Sequence, residues 1–248
     1  MYKILFLIII IVIGGGGYYY WQNQPVSSTP TANYAEVNNT EQSPQSERPA
    51  WMDSNEIRGF VWADNWFELY LDGELIATDS VPITTERSFN AEQFSFGSDS
   101  RPAQLAFVVK DFKENDTGLE YIGSRKQQMG DGGLIAQFID AGGNIVAVTD
   151  ADTKCIVTHH APVDTACADS SDPQIGSGAC ASRTITEPDG WKLAGFDDSS
   201  WDFATIYTED DVRPKDGYDE VSWNTRAELV WSSDLERDNT LLCRITLQ

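Results

Sequence analysis

Basic residues are scarce in this chain. It carries 17 lysines and arginines against 39 aspartates and glutamates, a formal net charge of −22 over 248 residues. So acidic a surface repels phosphate backbones and anionic headgroups, which argues against a nucleic-acid partner and against docking of the body on anionic lipid. The only two histidines, His159 and His160, are adjacent. Neighbours on a strand point to opposite faces, so this pair does not ligate one metal together. There is no C-x-x-C, G-x-S-x-G, H-E-x-x-H or P-loop. Zinc ribbons, thioredoxin-type sites, nucleophile-elbow hydrolases, zinc proteases and NTPases are therefore unsupported. Sustained helical periodicity is absent from the body. Asp234, Glu236 and Asp238 alternate like the start of an EF-hand loop, but Asn239 stands where the glycine is needed and Ile245 where the bidentate Glu is needed, which rules that loop out.

One long apolar run is present. Lys3 precedes Ile4–Ile13, four glycines follow, and Tyr18, Tyr19, Tyr20 and Trp21 close the segment. As one helix, positions 4–21 would span roughly 27 Å, enough for a hydrocarbon core, with the aromatics at the far interface. Two readings stay open: a transmembrane signal-anchor over residues 1–21, which the Tyr-Trp belt favours, and a cleaved signal peptide with its core at 4–13. Both export the body to a periplasmic, extracellular or lumenal space. The anchor would leave the N-terminus inside and make a single-pass membrane protein; cleavage would make a secreted one. Residues 22–50 are rich in Gln, Asn, Ser, Thr and Pro and are expected to be a disordered linker.

Residues 51–248 read as one β domain. The stretch Phe60–Asp79 carries the clearest signal, a hairpin in which Phe67, Leu69 and Leu71 alternate with Trp66, Glu68 and Tyr70 before an Asp72-Gly73 turn. Further strands are expected at 89–96, 103–110, 133–139, 144–149, 154–159, 204–207, 227–231 and 241–247, with long loops at 111–132 and 162–183. Many short strands separated by Gly, Asp and Pro turns predict an all-β sandwich. In an exported chain, four cysteines suggest disulfides. Cys167 and Cys180 bracket one loop and are paired here. Cys155 and Cys243 each fall on a strand, and both a bridge and a pair of buried thiols stay open.

Gly190-Trp191 followed by Phe196-Asp197-Asp198-Ser199-Ser200-Trp201 resembles a motif of galactose-binding-like jelly-roll domains. These include the accessory modules of bacterial α-L-rhamnosidases and the sugar-binding domain of β-galactosidase-type glycoside hydrolases. WADNWFELYLDGELIA (62–77) is similar to their strand-turn "A-D-x-x-x-x-L-Y-x-N-G", with Asp72 in place of the commoner Asn. GDGGLIAQF (130–138) and IVAVTDADTK (145–154) match the order of a glycine-rich strand and then "T-D-x-x-W-K", although Thr153 replaces the tryptophan. LLCRITL resembles the closing strand. The resemblance covers about residues 60–248. It implies a galactose-binding-like jelly roll that binds carbohydrate or is purely architectural, has no catalysis of its own, and in some members holds calcium.

Candidate ligand residues lie in three places: Asp64, Asn65 and Trp66; the loop GSRKQQMGDG with Arg125, Gln128 and Asp131; and KDGYDEVSW with Tyr218, Asp219 and Trp223. Exposed Trp suits stacking on a pyranose, and planar polar side chains bind vicinal hydroxyls in pairs. For Trp66 the competing place is the opposite sheet face, under a loop. Asp197 and Asp198 are expected to open a turn and Trp201 to plug the core. Asp150 and Asp152 are the candidates for calcium, as an alternative to a solvated turn. The expected function is a membrane-tethered, non-catalytic carbohydrate-binding module whose partner is a glycan or surface polysaccharide and which needs no cofactor, with calcium as an option. The alternatives are a structural or adhesive surface protein that binds a protein partner and, third, a small glycoside hydrolase.

Overall fold

The computed structural model describes residues 55–88 and 90–248. The expected anchor and linker lie outside the described residues; among these, no helix is long and apolar enough to cross a membrane. The chain forms β1 (Glu56–Asp64), β2 (Trp66–Leu71), β3 (Glu74–Thr78), β4 (Ala91–Gly97) and β5 (Ala103–Lys110). Two short strands follow, β6 (Leu119–Glu120) and β7 (Gln128–Met129), then β8 (Gly133–Asp140), β9 (Ile145–Val148) and β10 (Lys154–His160). The last are β11 (Arg183–Thr184), β12 (Asp202–Phe203), β13 (Thr205–Tyr207), β14 (Leu229–Trp231) and β15 (Asp238–Leu247).

Two antiparallel sheets make a sandwich. One runs β13-β14-β8-β1-β4 with β9 beside β8; the other runs β11-β10-β15-β5-β2-β3 with β12 beside β10. Their inner faces meet in a core that includes Ile57, Val61, Phe67, Leu105, Phe107, Phe138 and Leu241. The Phe60–Asp79 stretch is divided between the sheets: β1 pairs with β4 and β8, whereas β2 and β3 belong to the other sheet. The chain changes sheets at Asn65. Its N–H donates to Lys110 O (2.8 Å), its Oδ1 accepts from Phe112 N–H (2.5 Å) and its Nδ2 donates to Glu86 O (3.2 Å). The Asp72-Gly73 turn has φ of 47° and 94°, the positive pair that a type I′ hairpin turn requires.

The run LAFVV is apolar at every position because both faces of β5 are covered. Leu105, Phe107 and Val109 face the core, while Ala106 and Val108 lie beneath Trp191 and Trp201. Trp66 and Tyr70 sit partly buried in this outer cluster, so Trp66 lies on the opposite sheet face, as the alternation requires. The covering segment is fastened by charge: Asp198 accepts from Arg244 Nε (2.8 Å) and Lys154 Nζ (3.0 Å), and Arg244 Nη1 donates to the carbonyls of Trp191 and Leu193. Both disulfides are formed, Cys167–Cys180 and Cys155–Cys243. The second joins directly paired residues of β10 and β15. Its sequence separation of 88 gives about 4–5 kcal/mol in the chain-entropy account.

Candidate functional site

Three carboxylates meet at one end of the sandwich, each delivered by a strand end. Asp64 closes β1 opposite Gly133, just before the sheet change. Asp111 follows β5 and is fixed by its N–H to Asn239 O (3.0 Å). Asp131 comes from the 111–132 excursion, which folds back through the β6–β7 pair and is tied down where Gly132 N–H donates to Leu235 O (3.1 Å). One ligand oxygen from each of Asp64, Asp111 and Asp131 lies within 4.8 Å of the other two.

The surroundings are unusual for carboxylates. Asp64 is 1% exposed and Asp111 2%. None of their four carboxylate oxygens accepts a hydrogen bond among the described residues. The Phe112 N–H beside Asp111 is directed instead to Asn65 Oδ1. Lys215 Nζ lies at the rim, 3.1 Å from Asp131 Oδ2 and 3.6 Å from Asp64 Oδ2. Burial, reinforced by Asp131, pushes Asp64 up to about 8 despite Lys215. Burial, then Asp64, Glu120 and Asp131, drives Asp111 well above the carboxylate range. Burial also lifts Glu120 to about 7, against the hydrogen bond from Gln128 Nε2 (3.0 Å). Burial opposes the Lys215 charge, but Asp64 and Asp131 outweigh it and raise that group. Two like charges 4 Å apart repel by about 4 kcal/mol at an effective dielectric of 20, so the cluster needs protons or a cation.

The sequence-predicted residues fall differently. Asp64 and Asp131 are members of the cluster. Asn65 is buried and spends its amide on the backbone, and Gln128 bonds Glu120. Arg125 and Asp219 are exposed. Tyr218 is turned into the core, edge-on to Trp62 at 5.7 Å, with its hydroxyl donating to Glu209 Oε1 (3.0 Å). Trp223 donates its Nε1–H to Tyr218 O (3.1 Å) and packs against the same cluster. Asp150 and Asp152 form a turn in which Asp152 N–H donates to Asp150 Oδ1 (2.9 Å). Among the described residues, no third His, Cys, Asp or Glu joins them in a ligand group. Asp111, Glu120 and Lys215 are absent from the sequence-predicted set; the one signal for Asp111 was an acid abutting a strand apolar on both faces.

Two grooves open elsewhere on this surface. One, of 420 Å³, runs past Asp131 and is lined by Gln127, Gln128, Arg213 and Glu236. The other, of 530 Å³, lies between β10 and β12 and is lined by Trp201, Asp202, Phe203, Ser232, Ser233 and Asp238. Phe203 is 62% exposed there, with Lys154 Nζ 5.7 Å from its ring centre. Asp238 on this lining is bonded through its carboxylate by His160 Nδ1 and Ser232 Oγ, each at 2.5 Å. The acid thus stands between the other two, whereas a nucleophilic triad needs the imidazole in that place. Comparison of the chain with protein-family models, curated proteins and solved structures finds no match.

Proposed function

We propose that the chain is an exported, non-catalytic glycan-binding module built on a galactose-binding-like jelly-roll form of the sandwich. The observation that carries this reading is the groove at Phe203. A solvent-facing aromatic ring beside Asp202, Ser232 and Ser233 offers an apolar plane for the C–H face of a pyranose and polar groups for its hydroxyls. Phe203 stands well out of the surface, whereas the aromatic residues expected to stack, Trp66 and Trp223, are partly covered. Two disulfides agree with an oxidising compartment, and the apolar N-terminus with export and tethering. Catalysis is disfavoured because Asp64 and Asp111 are too deeply buried to touch a substrate.

The test is a glycan array probed with the full-length chain, followed by titration of any hit against Phe203→Ala. Binding that weakens about tenfold or more in this variant supports the reading, as expected if the exposed ring supplies the apolar stacking plane. Silence across the array from folded protein ends it, and capture of a protein ligand instead would favour the adhesive alternative.

A further inference from the structure

We propose that Asp64, Asp111 and Asp131 together bind one hard divalent cation of calcium size at the end of the sandwich. The chemistry of the donors selects the class: oxygen ligands alone, with no imidazole or thiolate, suit calcium or magnesium rather than zinc or copper. The charge fits as well. Three ionised carboxylates, with Glu120 nearby, outnumber the single Lys215 ammonium, so the site is net negative and a divalent ion offsets it.

Burial supplies an independent reason. A rim aspartate can rely on water, but Asp111 is 2% exposed and, among the described residues, has no hydrogen-bond donor at either oxygen. Protonation removes the charge and leaves a buried hydroxyl that still needs an acceptor. A cation satisfies the carboxylate oxygens turned toward it. The backbone has also made room for this arrangement. A Cβ placed on Gly130 would lie 1.8 Å from Asp111 Oδ2, so the Asp111 carboxylate occupies the place that any side chain at 130 would fill. Gly130 is therefore required by the position of Asp111 and not by its own backbone angles.

The donor set favours calcium over magnesium: calcium accepts a flexible cage of several protein oxygens, whereas magnesium keeps most of its waters and usually takes only one or two carboxylates. The three ligand atoms all lie within 4.8 Å of one another, which lets one ion draw on all three carboxylates. Calcium takes six to eight oxygens. Asp131, half open to the neighbouring groove, gives water access to the remaining positions.

The proposal is tested by isothermal titration of the full-length, EDTA-stripped chain with calcium chloride and, separately, with magnesium chloride. One calcium per chain is expected, with Kd between about 10⁻⁷ and 10⁻³ M and magnesium clearly weaker. Asp111→Asn and Gly130→Ala should each weaken calcium by about tenfold or more. Asp131→Asn, at the exposed rim, gives a third variant if either of these does not fold. Asp150→Asn with Asp152→Asn should leave the titration unchanged. The proposal is overturned if the folded wild-type chain takes up no calcium, if magnesium binds as tightly, if calcium affinity is unchanged in Asp111→Asn, or if it is lost with Asp150 and Asp152 instead. Calcium uptake without glycan binding would keep the cation site and remove the glycan function.

Discussion

Asp198 and Asp111 are both acids tied to the ends or outer faces of the same sheet, yet their circumstances are opposite. Asp198 is gripped by Arg244 and Lys154. Those partners overcome the effect of its burial and hold it below the ordinary carboxylate range. Among the described residues neither Asp111 oxygen has a hydrogen-bond donor, and burial with its acidic neighbours holds it well above that range. The first arrangement is complete within the fold and explains itself as a clasp: it fastens the segment carrying Trp191 and Trp201 over the outer face of β5 and β15. The second is complete only with something added. A buried acid with its partners present reports on architecture, whereas one without them points to a ligand.

The largest effect should come from opening the clasp. Arg244→Met removes a guanidinium that is 3% exposed and leaves Asp198 and two backbone carbonyls without their main donor. A loss of about 3–5 kcal/mol is expected for breaking such a pair, read as a lower urea midpoint. Asp111→Asn in calcium-free protein should behave in the opposite way. Removing an unpaired buried acid should cost less than about 1 kcal/mol or add stability. A loss as large as that of Arg244→Met would mean that the Asp111 carboxylate has a structural partner after all.

Acidity sharpens the contrast away from the cation site. Asp198 has a depressed folded-state value, so its contribution is present above the unfolded value of about 3.9 and disappears as pH falls through the folded one. The deficit of Asp198→Asn should therefore be largest at neutral pH and vanish in acid. Asp79 is the reverse case. Burial pushes it to about 7, against the Val81 N–H bond and with help from Glu92. Its native state holds an extra proton, so wild-type stability relative to Asp79→Asn should fall as pH rises from about 4 through 7. Denaturation curves run below about pH 4 for Asp198 and from about 4 through 7 for Asp79 check both signs; two slopes of the same sign would defeat the comparison.

These clusters were unequally legible in the sequence. The hairpin at Asp72-Gly73 and the buried run of β5 follow from period and turn chemistry, and the Phe196–Trp201 motif does place a turn and a core tryptophan. The change of sheets at Asn65 was hidden because the alternation continues on both sides of it. Asp64 and Asp131 stand out in the sequence as candidate polar residues, whereas Asp111 is only the first residue of the long loop 111–132. Its burial is created by distant chain: Asn239, Gly130 and the returning excursion. Tyr218 misled for the same reason, since an aromatic in a polar loop reads as exposed until Trp62 and Glu209 are known to receive it. Local pattern shows which strands exist, and only tertiary closure shows which acids lose their water.

The most direct measurement is thermal unfolding of the EDTA-treated full-length chain with and without calcium, run beside Asp198→Asn and Asp111→Asn. Calcium should raise Tm in the wild type and in Asp198→Asn, by several degrees once it exceeds Kd about a hundredfold, and raise it clearly less in Asp111→Asn. An unchanged wild-type Tm, or an equal rise in Asp111→Asn, would contradict the view that the orphaned acids await a cation.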